Sequence, residues 1–191
     1  LGMSGSLRVL PAGTPAQKHD HFDLELGDRI LRLRDPRRFG AVLWTAAAID
    51  THPLLAHLGI EPLSRALQPS RLYQLTRPHR TGIKQFLMDG RRIVGVGNIY
   101  ANESLFRAGI HPRLSSRKLS LERCAKLCAA IKQTLRSAIR AGGSTLRDFV
   151  NAEGNAGYFQ QRYRVYGRAG QPCRRCGNAI RVMSGWRAVR A

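Results

Sequence analysis

The hydrophobic periodicity of this chain changes once along its length, and that change restricts the fold more than any other feature. Up to about Thr45 the apolar residues alternate, as in half-buried strands; beyond it they recur at helical spacing. In the first part, residues 7–10 form a short apolar-rich run. Residues 21–26 place Phe22, Leu24 and Leu26 on one face, and Ile30, Leu31 and Leu33 follow across Gly27-Asp28, a hairpin signal. Residues 38–44, with Phe39, Ala41, Val42, Leu43 and Trp44, read as a further strand. In the second part a helix is expected over residues 98–108, fronted by Gly95-Val96-Gly97. Ser120 is placed to cap a helix carrying Leu121, Cys124, Cys128, Ile131, Leu135 and Ile139, which Gly142-Gly143 ends. Thr145 opens a short helix with Asp148 in a capping-box position. Strands followed by helices make an α+β chain: antiparallel strands of a sheet or sandwich, then a helical domain.

Charge narrows the partners. Lys and Arg number 32 against 12 Asp and Glu, a formal net charge of +20. Self-repulsion on that scale opposes compactness unless a polyanion relieves it. Arginine dominates, and its planar fork suits phosphate and base edges. Nucleic acid is the first reading. An anionic membrane surface is the second, but no segment joins a basic face to a continuous apolar stripe. A genome-wide excess of arginine would produce the same composition with no partner at all. No run approaches a membrane span and no signal peptide opens the chain, so the cytosol is the expected compartment.

Three segments carry chemistry. Gly95-Val96-Gly97-Asn98-Ile99-Tyr100-Ala101 lets backbone N–H groups converge where a helix points its positive end, a cradle for phosphate with the Asn98 amide as added donor. The same string is also an ordinary glycine-rich helix start. Asp35-Pro36-Arg37-Arg38-Phe39-Gly40 sets arginines beside an aromatic ring, a pairing that reads a base edge and props a disturbed stack, or else a solvated turn. Cys173-Arg174-Arg175-Cys176 after Pro172 has the spacing of one half of a zinc ribbon, which needs two further ligands. Cys124 and Cys128, at helical spacing on an apolar face, read as core. His19-Asp20-His21 is a metal site, a phosphate contact or a polar strand start. Met3 is core filler or an apolar wedge.

In order, these segments resemble the formamidopyrimidine-DNA glycosylase family. The matching strings are Leu1-Gly2-Met3-Ser4-Gly5-Ser6-Leu7, Lys18-His19-Asp20-His21, Asp35 to Gly40, Gly95 to Ala101 with Glu103-Ser104-Leu105-Phe106, and Gly157-Tyr158-Phe159 leading to Val165-Tyr166-Gly167-Arg168 and the cysteines. The resemblance spans essentially the whole chain. It implies a β-sandwich, a helical domain with a helix–two-turn–helix element, and a C-terminal zinc ribbon that holds one zinc ion. The expected division is residues 1–57 from the sandwich, 58–150 helical, 151–166 a lesion-recognition loop and connector, and 167–191 a truncated ribbon. The implied activity is base-excision repair of oxidised purines, 8-oxoguanine and formamidopyrimidines, by a monomeric glycosylase and abasic-site lyase acting on damaged double-stranded DNA.

The resemblance also implies roles. Met3, Arg37 and Phe39 fill the void left by the everted base, with Arg37 on the orphaned partner. His19, Asn98, Lys84 and His79 contact the DNA backbone. Asn151, Gly154 and Tyr158 lie in the loop that closes over the base, Arg187 sits near the ribbon-hairpin arginine, and Cys173 and Cys176 are two of the zinc ligands.

The departures are equally specific. The family's nucleophile is an N-terminal proline amine, with an adjacent glutamate and a downstream lysine as partners. Those residues would precede Leu1, whose amine starts within what should be a strand. No second Cys-x-x-Cys follows Cys176. The expectation is a fragment cut at both ends, catalytically silent, with an incomplete zinc site. A non-catalytic binder of damaged or abasic DNA is the alternative, and a basic RNA-binding structural protein is the third.

Overall fold

A computed structural model of the chain describes residues 1, 5–143, 159–183 and 188–190. They form two compact units, Leu1–Ala46 with Ser137–Arg162, and Ala47–Arg136 with Tyr163–Ala191.

The first unit is built on an antiparallel sheet of β1 (Ser6–Pro11), β2 (Asp20–Leu26) and β3 (Arg29–Arg34), in the order β1-β3-β2. The hairpin across Gly27-Asp28 forms as expected, with Gly27 at φ 73°. The register pairs Leu7 and Phe22 with Leu33, and Val9 and Leu24 with Leu31, so these side chains share one apolar face. Leu33 is buried, whereas Leu7, Val9, Phe22, Leu24 and Leu26 are 37–52% exposed. On the other face, buried Arg32 grips Asp23 through two nitrogens at 2.8 and 2.6 Å. It also donates to the carbonyls of Pro15 and Thr14, tying the β1–β2 connection to the sheet. The hydrogen bond from Arg32 holds the Asp23 carboxyl below its ordinary range.

Three expectations fail. Leu1 lies outside any strand; β1 begins at Ser6, opposite Arg34, the last residue of β3 before the Asp35-Pro36 turn. Residues 38–44 form no strand, and Trp44 is 93% exposed. An apolar run does not supply a partner strand, and a turn closed by the Arg38 N–H on the Asp35 carbonyl interrupts the chain after β3. The helical part begins at Pro69 rather than near Thr45. Pro53 and Pro62 punctuate residues 45–68, which hold only a one-turn 3-10 helix, Ile49–Thr51, and Pro69 then opens the first α-helix.

The second unit carries α1 (Pro69–Thr76), α2 (Ile83–Leu87), α3 (Asn98–Ala108) and the first sixteen residues of α4 (Leu121–Arg140). Its core gathers Leu72, Ile83, Leu87, Ile93, Leu105, Leu127 and Ile131. Cys124 and Cys128 lie within it, as their spacing predicts, and burial pushes the Cys128 thiol up to about 11. The Ser120 hydroxyl accepts the Arg123 N–H, and Gly109 ends α3 in the left-handed region. Arg77 knits the helices together. Its guanidinium donates to the Leu119 carbonyl at 2.6 Å and lies 4.0 Å over the Tyr73 ring. A two-stranded ribbon, β4 (Arg181–Met183) with β5 (Ala188–Arg190), completes this unit.

Candidate nucleic-acid interface

In the first unit the Asp35–Gly40 loop is braced from within. Buried Asp35 accepts the Gly40 N–H on its carboxylate at 2.6 Å. Its own N–H donates to the His19 carbonyl, and its carbonyl meets Nε2 of His21 at 3.1 Å. His19 (φ 77°) and Arg38 (φ 56°) both sit in the left-handed region, which non-glycine residues adopt only where the surroundings over-determine it. The His19 carbonyl and the His21 ring thus support the loop from the start of β2. What the loop displays is Arg37 and Phe39. Both are exposed, Phe39 by 68%, and the Arg37 guanidinium lies 5.7 Å from the Phe39 ring centroid. The two present a cation and a flat aromatic ring side by side at the surface.

In the second unit, Gly95 turns at φ 70° and Gly97 caps α3 in an extended conformation. Gly97 offers no side chain to cap this end and the first turn carries no acidic residue, which leaves the positive end of the helix dipole unneutralised by either. Asn98 is the first helical residue and is half-buried. Lys84, on α2, is 4% exposed, and burial lowers the pKa of its ammonium. His79 packs its ring 5.6 Å from Phe86, while its carbonyl accepts the N–H of Arg117 and the hydroxyl of Ser116. Its backbone has a structural duty whatever its ring does.

Behind α3 lies an anchor that the sequence motifs did not reveal. Glu103, 3% exposed, accepts the backbone N–H groups of Arg164, Val165 and Tyr166, with Arg164 shared between its two oxygens at 3.0 and 2.9 Å. This clamp seats Val165 in a small core with Cys173 and Ile180, against Phe106. The cysteine turn follows. The Cys173 N–H donates to the Asn178 carbonyl, and Gly177 closes back on the Cys173 carbonyl. The Arg175 N–H, 3.4 Å from Cys173 Sγ, holds that thiol below its ordinary range, with burial opposing and Cys176 assisting. Such a knuckle suits a thiolate ligand. Yet among the described residues no three His, Cys, Asp or Glu side chains come together to hold a metal. A closed zinc site takes four such ligands.

Met3, Asn151, Gly154, Tyr158 and Arg187 lie outside the described residues, as do Thr145 and Asp148. No helix among the described residues is long and apolar enough to cross a membrane.

Comparison with known proteins follows the same two parts of the chain. Residues 1–42 match the family described as the formamidopyrimidine-DNA glycosylase N-terminal domain, and residues 58–150 its H2TH domain. A protein of Aromatoleum aromaticum named formamidopyrimidine-DNA glycosylase is 58% identical over 190 residues, covering 99% of this chain and 70% of that protein. The MutM (Fpg) protein from Thermus thermophilus superposes with a TM-score of 0.84 at 37% identity, covering 100% of this chain and 71% of that one. A Lactococcus lactis Fpg mutant in complex with Fapy-dG-containing DNA gives a TM-score of 0.83 at 29% identity, over 100% and 70%.

Proposed function

Because this chain belongs to the formamidopyrimidine-DNA glycosylase family, we propose that it clasps duplex DNA at a damaged base, in the service of oxidised-purine excision and cleavage at the resulting abasic sugar. The observation that carries this reading is the front of α3, where a glycine N-cap leads directly into Asn98 with no acidic residue in the first turn. A phosphate placed there would accept from backbone N–H groups and from the Asn98 amide, with the helix dipole adding to the attraction. Lys84, on the neighbouring helix α2, supplies charge, and His79 a further contact. His19 adds a contact from the turn before β2. The solved Lactococcus lactis relative with Fapy-dG-containing DNA supports a ring-opened purine as the lesion.

Arg37 and Phe39 take the second task. Everting a base leaves a hole and an orphaned partner. An exposed ring fills the gap by stacking, and the arginine beside it bonds the unpaired base edge. Changing Asn98 to Ala is expected to weaken binding equally for every duplex sequence. Changing Arg37 to Ala should instead flatten the preference among opposite bases, by roughly 1–3 kcal/mol. Titrations of abasic duplexes carrying each of the four opposite bases separate the two. An equal loss for all four in the Arg37 variant would remove it from this role.

Gel shifts should show tighter binding to lesion or abasic duplex than to intact duplex. Indifference to the lesion would overturn this reading, leaving only charge attraction that decays with log salt at about 0.9 per phosphate neutralised. Met3, Asn151, Gly154, Tyr158 and Arg187 keep their proposed roles at the void, over the everted base and at the ribbon.

A further inference from the structure

One turn along α3 from Asn98 lies a second asparagine, Asn102, which is 2% exposed. Its Nδ2 donates to the main-chain carbonyl of Asn98 at 2.9 Å and to Asn98 Oδ1 at 3.1 Å. A side-chain amide has one donor end and one acceptor end, and which end faces where is dictated by its partners. The Asn98 carbonyl can only accept, so the end of the Asn102 amide that faces it must be the NH2. That same NH2 faces the Asn98 side chain, so the atom it meets there must be the oxygen. The Asn98 NH2 is thereby committed to the other side of its own amide. Among the described residues it has no protein partner.

The arrangement carries a cost. Asn102 Oδ1 is buried with no hydrogen-bond partner. An apolar side chain of similar volume would avoid that cost while leaving the helix intact. Only the donor end of Asn102 is engaged, and what it engages is Asn98.

We infer that Asn102 is a positioning residue, which locks the Asn98 amide so that its nitrogen, rather than its oxygen, meets a DNA phosphate. The inference rests on the reading of Asn98 as a phosphate contact. A phosphate oxygen accepts hydrogen bonds and repels a carbonyl oxygen, so an amide turned the wrong way is worse than none. Asn102 touches no DNA in this scheme; it acts through Asn98 alone.

A double-mutant cycle on the 191-residue chain tests it, with affinity for a tetrahydrofuran-containing duplex read by fluorescence anisotropy. Asn98→Ala is expected to weaken binding roughly tenfold. Asn102→Leu keeps the volume, removes the donor and should weaken binding roughly threefold to fivefold without lowering the melting temperature. In the Asn98→Ala background, Asn102→Leu should change nothing. Asn102→Asp, close in shape but accepting only, should turn the Asn98 amide round and lose at least as much as the Leu variant. Full additivity, or undiminished binding in Asn102→Leu, overturns the role of Asn102. An unaffected Asn98→Ala variant overturns the phosphate contact itself, a different failure. Side-chain amide exchange in the unsubstituted protein gives a readout that needs no variant to fold. The Asn102 NH2 should exchange slowly and the Asn98 NH2 fast, and the reverse order would also refute the lock.

Discussion

Glu103→Ala is expected to destabilise the chain by about 3–5 kcal/mol, because it strands three backbone N–H groups for which, among the described residues, this carboxylate is the acceptor. The side chain is buried on α3, and its partners are 61 to 63 residues further along the chain. Each charge-assisted bond is worth more than a neutral one, and each abandoned buried donor costs separately. Glu103→Gln should fall between the parent and the alanine variant. Its single carbonyl can replace Oε1, which accepts from all three residues, but its NH2 then confronts the Arg164 N–H where Oε2 had accepted at 2.9 Å. Urea denaturation orders the three proteins. Hydrogen exchange at the Val165 amide locates the effect, since Val165 is the residue that the clamp seats against Cys173 and Ile180. A cost below about 1 kcal/mol for the alanine variant would mean that water replaces the carboxylate readily, and that the clamp does not hold the cysteine turn.

Gly59→Ala is the second large effect, about 3 kcal/mol or more. A Cβ at position 59 would stand 2.2 Å from the Arg92 carbonyl carbon, 2.4 Å from its oxygen and 2.6 Å from its nitrogen. These are backbone atoms, and they cannot retreat cheaply. The Gly59 N–H donates to the Gly90 carbonyl, Ile60 to that of Arg92, and Val94 back to that of Ile60, around a parallel bridge between Ile60 and Ile93. Giving way would break this short ladder and pull buried Ile93 from the helical core. Gly90→Ala is the control. A Cβ there meets nothing within 4 Å, and its stability should stay within about 0.5 kcal/mol of the parent. Thermal melts of both variants decide the matter: equal melting temperatures would refute the close-approach argument.

Local signals suffice wherever the physics is local. The Gly27-Asp28 hairpin, the bounds of α3, the Ser120 cap and the Gly142 stop each involve residues within a few positions of one another, and each stands as expected. They mislead where a partner is needed. Residues 38–44 are apolar like a strand but have no ladder partner among the described residues, and residues 45–68 are broken by prolines whose combined effect the helical spacing conceals. At the site, Arg37, Phe39 and Asn98 are visible as motif residues. Asp35 as the brace of its loop, Asn102 as the neighbour of Asn98 and Glu103 as a clamp are not. The Asn98–Asn102 spacing of four is the one available clue, since such pairs share a helix face.

By itself, then, the sequence determined the order of strands and helices, the surplus of arginine that calls for a polyanion, and the identity of the groups offered to it. Those follow from periodicity, caps and composition, which act over a turn or two of chain. Only the tertiary structure decided how those groups are held: which backbone Glu103 satisfies, and where Gly59 admits no side chain. Such outcomes depend on atoms that packing brings into contact, and a hydrogen bond does not record in sequence how far apart its partners began.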